Sequence, residues 1–204
     1  MSDLPPFHLP VTVETQGVRV RLRPITPDDR ERMLEGLQKI STETSYDRFY
    51  TPRFTPSETQ LRYLTEVDGK QHVAIGAVNA DDPSEPGLGA ARYVRLDDEP
   101  AVAEAAALVI DEYQRKGVGG LLLAALNRHA HENGVRAFRA YVMQENTEFL
   151  DYLRSLGSVR EEVHEGVVQI DIPVITSAEQ VPDTPDHRGV REAWMAFNDA
   201  LRAG

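Results

Sequence analysis

The feature that most constrains the fold is a glycine-rich turn between a short apolar segment and a long helical one. Residues 111–120 read DEYQRKGVGG, residues 103–110 before them read AEAAALVI, and the helical pattern LLLAALNRHAHENG after them ends at Gly134, a frequent C-cap residue. Alanine favours a helix in 103–110, but the run is short and ends at a turn, which favours a strand. A strand, a glycine turn and a helix in this order predict a mixed α/β fold.

A turn of this kind presents unpaired backbone N–H groups at the positive end of the helix dipole, where phosphate oxygens bind. Glycines that only allow a sharp turn explain the composition equally well. The dinucleotide-binding pattern G-x-G-x-x-G fails because Leu122 stands where the third glycine belongs, and the P-loop pattern is absent. The turn instead reads Gln114-x-x-Gly117-x-Gly119-Gly120.

The rest of the chain alternates strand and helix patterns. Residues 1–17 are interpreted as an N-terminal tail, 18–173 as one domain with the order βαα-βββ-αβ-αββ, and 174–204 as a linker followed by a helix. In that last helix Val190, Trp194, Phe197 and Leu201 share one face. The face is expected to dock on the same domain, and binding of a partner is the alternative.

Composition excludes several classes of function. The formal net charge of -11 argues against nucleic acid and anionic membranes as partners. The absence of cysteine excludes disulfides, thiolate zinc sites and a cysteine nucleophile. His129 and His131 are two residues apart and do not share a helix face, so no metal is expected. Without a signal peptide or an apolar run of ~20 residues, a cytoplasmic protein is expected.

On these motifs the sequence resembles the GCN5-related N-acetyltransferase (GNAT) family. The pattern Q/R-x-x-G-x-G/A between a strand and a helix is the family's signature, and the likeness runs from Val18 to Ile172, with Asn146 after the next strand. The resemblance implies the GNAT fold, a mixed, mostly antiparallel central sheet flanked by helices, here with an added C-terminal helix. It also implies that acetyl-CoA is the co-substrate.

The resemblance assigns cofactor contacts to the turn and to the strand before it. Backbone groups of Val109 and Ile110 would bind the pantetheine arm, and Arg115 or Lys116 would supply charge near the 3'-phosphate. Asn146 would bind the pantetheine or diphosphate region, or serve only as a helix N-cap. The residues expected to hold the diphosphate are Gln114, Arg115, Lys116, Gly117, Val118, Gly119 and Gly120.

The resemblance also nominates Glu104 as general base, since it lies ten residues before Gln114. Lysine has a reference pKa of about 10.4 and glutamate one of about 4.3, so Glu104 would act through water or with a raised pKa. A solvent-facing glutamate without a catalytic role is the alternative. Many family members carry a tyrosine as general acid where this chain has Leu153, and Tyr152 points about 100° away. The thiol of coenzyme A would then leave as thiolate or be protonated by water.

A narrower resemblance is to bacterial protein-lysine acetyltransferases that modify acyl-CoA synthetases. It rests on LRPI at 22–25, STETSYDRFY at 41–50, EVD at 66–68 and HVAIGAV from residue 72. It implies transfer to a protein lysine, with an acyl-CoA synthetase as candidate partner. Glu43, Glu66 and Asp68 could form an acidic rim that attracts a cationic acceptor.

Two other functions remain open: acetylation of a small amine, such as a polyamine, amino acid or antibiotic, and a non-catalytic module that senses acetyl-CoA or binds a partner. The sequence is compatible with a monomer and with a homodimer.

Overall fold

The computed structural model describes residues 7–203, and its centre is an eight-stranded sheet in the order β1-β2-β3-β4-β5-β6-β8-β7. Neighbouring strands run antiparallel, except β5 and β6, which run parallel. The strands are β1 (Val11–Thr15), β2 (Val18–Pro24), β3 (His72–Asn79), β4 (Gly87–Arg95), β5 (Val102–Val109), β6 (Ala137–Met143), β7 (Arg160–His164) and β8 (Val167–Pro173).

Six α-helices flank this sheet within residues 7–203, three of them between β2 and β3. Their bounds are α1 (Arg30–Leu37), α2 (Thr42–Phe49), α3 (Glu58–Thr65), α4 (Val118–Glu132), α5 (Thr147–Ser155) and α6 (Arg188–Ala203). The fold is therefore the expected mixed, mostly antiparallel sheet with flanking helices and an added C-terminal helix.

The main core lies between the sheet and α4, and α6 closes it. Most of α4 is buried because its apolar residues go almost all round the helix. α6 packs on α4 and β1 through Trp194, Phe197 and Leu201, as the spacing of its apolar residues predicts. Along β5, Ala103, Ala105 and Val109 belong to this core. The alternate residues, beginning with Glu104, face the side of α1, α2 and α3.

The structure differs from the sequence-based prediction at three points. The N-terminal tail expected over 1–17 contains β1, which pairs along its whole length with β2, while residues 1–6 lie outside the described residues. Thr26 as a cap, followed by Pro27, predicts a first helix that runs to about Ile40, but the structure has a 3-10 turn at Pro27–Asp29 and a helix that ends at Leu37. α2 was not expected, because its sequence TETSYDRF is polar and lacks a clear apolar stripe.

Candidate functional site

The glycine-rich turn is a left-handed entry into α4. Arg115 has φ 57° and Gly117 has φ 81°, and Gly117 is the N-cap of the helix. The first helical hydrogen bond of α4 is donated by Leu121 N–H to the Gly117 carbonyl, at 3.0 Å. The N–H groups of Val118, Gly119 and Gly120 are therefore the first-turn donors, which have no partner within the helix. Such donors can bind an anion at the end of β5, where the sequence predicts an anion site.

The structure requires glycine for different reasons at two of the three glycine positions in the turn, and at the third it does not require glycine. A Cβ on Gly117 would overlap Thr15 Oγ1, and its positive φ also favours glycine. A Cβ on Gly120 would lie 2.7 Å from the Cβ of Ala193, so the packing of α6 on α4 requires glycine there. A Cβ on Gly119 would meet only Val109 Cγ2, at 3.6 Å, which is ordinary contact. Internal packing therefore explains Gly117 and Gly120 but leaves Gly119 unexplained.

Side chains of the turn tie it to α2. The Gln114 amide donates to Thr44 Oγ1 at 3.1 Å and to the Val109 carbonyl at 3.2 Å. Asp111 accepts from Ser41 N–H at 3.0 Å and from the Thr44 hydroxyl at 2.9 Å. The Gln114 side chain thus holds α2 against the end of β5, a contact that the sequence did not indicate.

The two basic residues of the turn lie beside this anion site. Arg115 is exposed, and the Lys116 ammonium lies 4.9 Å from the centre of the Tyr113 ring. Among residues 7–203, neither has a carboxylate within 4.0 Å. Both cations are therefore free to meet an anion bound at the first turn of α4.

β5 and β6 part directly after Glu104. Their parallel pairing covers Val102 with Ala137, Ala103 with Phe138 and Glu104 with Arg139, and it stops although both strands continue. On one side the gap is followed by the glycine-rich turn, which comes directly after β5. On the other side Asn146 caps α5, accepting from Phe149 N–H at 3.2 Å. Backbone groups along this gap can bind an extended chain lying between the strands.

Glu104 faces a pocket of about 350 Å³ on the α2–α3 side of the sheet. Its carboxylate is exposed to solvent in this pocket. The residues that share the pocket are Arg48, Phe49, Phe54, Gln60, Tyr63, Leu64, Arg92, Val94 and Ala106. Sequence reasoning missed all of these residues. Arg48 and Phe49 carried a signal, since they belong to the segment at 41–50 that the narrower resemblance uses.

Two arginines give this pocket an unusual charge. Arg92 is only 8% exposed, and its guanidinium donates to the Leu64 carbonyl at 3.0 Å and contacts His72 Nε2 at 3.3 Å. Burial, together with the charge of Arg48, lowers the pKa of Arg92 to about 10. Burial also lowers the pKa of Arg48, and the nearby charge of Glu104 opposes this shift. Both arginines remain cationic at neutral pH.

His72 lies behind Arg92 and is neutral at pH 7. Burial, and then the charge of Arg92, lowers the pKa of His72 to about 4. The segment HVAIGAV and the segment STETSYDRFY, far apart in sequence, therefore meet at one wall of the pocket. The third segment, EVD at 66–68, ends at Asp68, which accepts hydrogen bonds from the backbone N–H groups of Lys70, Gln71 and His72 at 2.8–2.9 Å.

The acidic rim does not form as expected. Glu66 accepts hydrogen bonds from Arg62, and Asp68 holds the turn before β3, so neither carboxylate is left unpartnered. Glu43 lies exposed in the first turn of α2. The pocket is thus lined by two cationic side chains, Arg48 and Arg92, and one acidic side chain, Glu104.

Position 153, where many members of the family carry a tyrosine, is Leu153 in this chain. Leu153 is buried in the core, and the neighbouring Tyr152 stacks on His187 with 4.9 Å between ring centres. Tyr152 thus packs on the segment before α6. A different phenol reaches the gap: the Tyr50 hydroxyl donates to the Tyr141 carbonyl at 3.1 Å, two residues beyond the last β5–β6 pair.

Two features are absent from residues 7–203. No group of three or more histidine, aspartate or glutamate side chains is arranged to hold a metal ion. No helix in that range is long and apolar enough to cross a membrane.

Comparison with known proteins identifies relatives over most of the chain. Residues 19–159 match the model of the acetyltransferase (GNAT) domain. The chain is 35% identical, over 91% of its length, to the acetyltransferase Pat of Mycolicibacterium smegmatis, and it spans 54% of that protein. Two solved structures are also similar. The GNAT domain of S. lividans PAT has 29% identity and a TM-score of 0.69, over 80% of this chain and 96% of that one. A cAMP-binding acyltransferase from Mycobacterium smegmatis has 30% identity and a TM-score of 0.56, over 95% of this chain and 56% of that one.

Proposed function

The chain belongs to the GNAT acetyltransferase family, and on that premise we propose that it transfers the acetyl group of acetyl-CoA to the side-chain amine of a protein lysine. Acetyl-CoA-dependent acyl transfer is the activity of the family. The observation that carries the proposal is the position of Glu104, exposed in a pocket at the point where β5 and β6 part. A base, an amine from the pocket and a thioester from the gap can meet there.

The residues along the gap and the turn fit acetyl-CoA. First-turn N–H groups of Val118, Gly119 and Gly120 would bind the diphosphate, and the lack of a side chain on Gly119 would let it approach the backbone. Arg115 and Lys116 would pair with the 3'-phosphate. Backbone groups of Val109 and Ile110 would bind the pantetheine arm, and the Asn146 amide group could donate to it while its oxygen caps α5.

Glu104 would serve as general base through a water molecule. It would accept a proton from the lysine ammonium, and the neutral amine would then add to the thioester carbonyl carbon to give a tetrahedral oxyanion. That intermediate would collapse with breakage of the carbon–sulfur bond, and the second proton on the nitrogen would pass to water. Backbone N–H groups of β5 beyond the last pair with β6 would stabilise the oxyanion. Leu153 offers no proton, so the thiolate would leave as such or take a proton from water.

A protein acceptor is supported by where the narrower motifs meet. Arg48 and Phe49 from the segment at 41–50, and His72 from the segment after EVD, line or support the same pocket as Glu104. These motif residues support a protein lysine as the acceptor that would enter this pocket. An acyl-CoA synthetase is the candidate target that the resemblance implies.

A small amine is the second candidate acceptor. Its support is the pocket itself, since a volume of about 350 Å³ with aromatic walls from Phe49, Phe54 and Tyr63 is of a size that small ligands occupy.

Transfer of labelled acetyl groups from acetyl-CoA into a bacterial extract, and into a purified acyl-CoA synthetase, tests the proposal. We expect label on a few proteins and a roughly 10²- to 10⁴-fold lower kcat for Glu104→Gln, with acetyl-CoA affinity unchanged. Glu35→Gln, on the exposed side of α1, is the matched control and should retain full activity. Label only in small molecules would favour the second acceptor. Binding of acetyl-CoA without any transfer would leave a sensor or partner-binding module.

A further inference from the structure

The acceptor pocket holds more positive than negative charge. Arg48 and Arg92 line it together with one carboxylate, that of Glu104. Within residues 7–203, neither arginine has a carboxylate within 4.0 Å. The pocket therefore carries about one net positive charge, and a lysine ammonium entering it would add another.

Arg92 is buried among neutral partners. Its hydrogen-bonding contacts are the Leu64 carbonyl and His72 Nε2, and His72 is uncharged at neutral pH because its pKa is about 4. A buried charge is costly unless a counter-charge compensates it. The fold keeps this cation in the wall of the pocket although no carboxylate of residues 7–203 lies within 4.0 Å of it.

Arg48 is the more accessible of the two cations. Its guanidinium lies 5.0 Å from the centre of the Phe49 ring and is only partly exposed. The acids on the neighbouring α3–β3 connection are engaged elsewhere: Glu66 binds Arg62, and Asp68 binds backbone N–H groups. The two guanidiniums thus repel each other, which is one cause of the lowered pKa of Arg92.

We propose that this pocket selects an amine that is accompanied by a carboxylate, and that Arg48 and Arg92 hold that carboxylate. The proposal rests on the proposed function and narrows it: the target lysine has an acidic residue close to it. A guanidinium binds a carboxylate through two parallel hydrogen bonds, so one acidic side chain would satisfy a cation that the protein leaves uncompensated.

The same charges would help the chemistry. A nearby positive charge disfavours the charged form of an amine and thereby lowers the pKa of its ammonium group. Some catalytic lysines are activated in the same way by a neighbouring cation. Arg48 would thus favour the neutral amine near Glu104, while the accompanying carboxylate keeps the acceptor bound. A lysine in a neutral or basic sequence would be repelled by Arg48 and Arg92 in the same way, and no carboxylate beside it would bind the two arginines.

Matched peptides test the proposal on the full chain. Each peptide contains one lysine, and one of the four positions within two residues of it carries glutamate in one peptide and glutamine in its matched partner. The value of kcat/KM for each peptide is measured with acetyl-CoA. We expect at least one glutamate peptide to be preferred roughly ten- to hundredfold over its glutamine partner, the loss typical of removing a charged hydrogen-bond partner. Arg48→Gln should abolish the preference, and Arg48→Glu should reverse it toward a peptide with arginine at that position.

Arg48 is the first choice for substitution because Arg92 is buried, and its removal could unfold the protein. Arg92→Lys, which keeps the charge but loses the two-pronged geometry, is the second variant and should reduce the preference. Arg19→Gln, at an exposed ion pair with Asp81, is the matched control and should leave the preference unchanged.

The outcomes separate this proposal from the proposed function. Equal rates on all matched peptides would overturn carboxylate recognition and leave lysine acetylation standing. If no peptide reacts, free lysine and cadaverine are compared, since they share the amine but only lysine has a carboxylate. An Arg48-dependent preference for lysine would support carboxylate recognition and overturn the protein acceptor. If free lysine and cadaverine are acetylated equally, or not at all, both carboxylate recognition and the protein-lysine acceptor would be overturned.

Discussion

At the scale of single residues, the glycines of the α4 turn meet two different requirements, one of the fold and one of a bound ligand, which the sequence does not distinguish. Gly117 is needed for a positive φ and for space beside Thr15, and Gly120 for the approach of Ala193. Gly119 has room for a methyl group. Only Gly119 can therefore report on the ligand without also reporting on the fold.

Gly119→Ala is expected to keep or slightly raise the melting temperature while weakening the binding of acetyl-CoA. Alanine stabilises a helix by up to about 1 kcal/mol relative to glycine. The added methyl group would hinder the diphosphate, so we expect at least a tenfold higher Kd. Thermal unfolding and calorimetric titration measure the two effects. An unchanged Kd would contradict the role of Gly119 in binding. Gly117→Ala is the comparison, and it should lower the melting temperature as well.

The sequence could predict these turn residues but not the cationic pocket. Gln114, Gly117 and Gly119 lie close together in the sequence, so their spacing alone predicts a turn. Arg48 and Arg92 lie on α2 and β4, more than forty residues apart, and look like ordinary solvated charges. Only the packed structure reveals that they share a wall and lack acidic partners, because compensation of charge depends on distances in space.

At the scale of secondary-structure elements, α6 is an integral layer of the core. Trp194 and Phe197 are fully buried in it, and Ala193 contacts the position of Gly120 at the start of α4. The helix therefore supports the turn that the proposal assigns to acetyl-CoA.

Trp194→Ala is expected to lower the free energy of unfolding by about 3–5 kcal/mol, the typical cost of a cavity left by a large aromatic side chain. Denaturant-induced unfolding measures it. Met195→Ala, next in sequence but exposed on the outer face, should change the free energy by less than about 0.5 kcal/mol. Similar losses for both variants would mean that α6 is not packed as described.

Periodicity predicted most elements, and the exceptions have physical reasons. α6 was predicted because its apolar residues recur on one face, and β3, β4 and β8 because strand patterns and turns frame them. β1 was missed because VTVET is short and follows a proline-rich stretch, and its pairing with β2 depends on the turn at Gln16 and Gly17. α2 was missed because it is held by contacts with Asp111 and Gln114 rather than by an apolar face.

At the scale of the whole molecule, stability should fall in two steps as the pH is lowered. His72 has a pKa of about 4 in the folded protein and about 6.5 when unfolded, so the unfolded state binds its proton first. The stability that neutral His72 contributes is complete above pH 6.5 and is lost as the pH falls toward 4.

The second step involves Asp29, between β2 and α1. Burial alone would raise its pKa, but hydrogen bonds from Arg23 and from Thr26 N–H lower it to about 2. Its contribution is present above about pH 4 and is lost as the pH falls through 2.

Melting temperatures measured from pH 7.5 to 4.5 test the first step. The wild type should lose stability over this range, and His72→Gln, which keeps an acceptor for Arg92, should lose less. His164→Gln, on the exposed end of β7, should follow the wild type. A wild-type melting temperature that is flat from pH 6.5 to 4.5 would contradict the neutral state of His72.

The short pairing between β5 and β6 has a consequence for amide hydrogen exchange. Beyond Glu104, the backbone groups of β5 that are directed toward β6 lack a strand partner there, although the opposite edge of β5 stays bonded to β4 as far as Val109. Amides in this stretch should exchange with solvent faster than those of β3 or β4, and should slow when an extended ligand lies in the gap. The ligand would then act as a missing length of strand, and the sheet would be complete only in the complex.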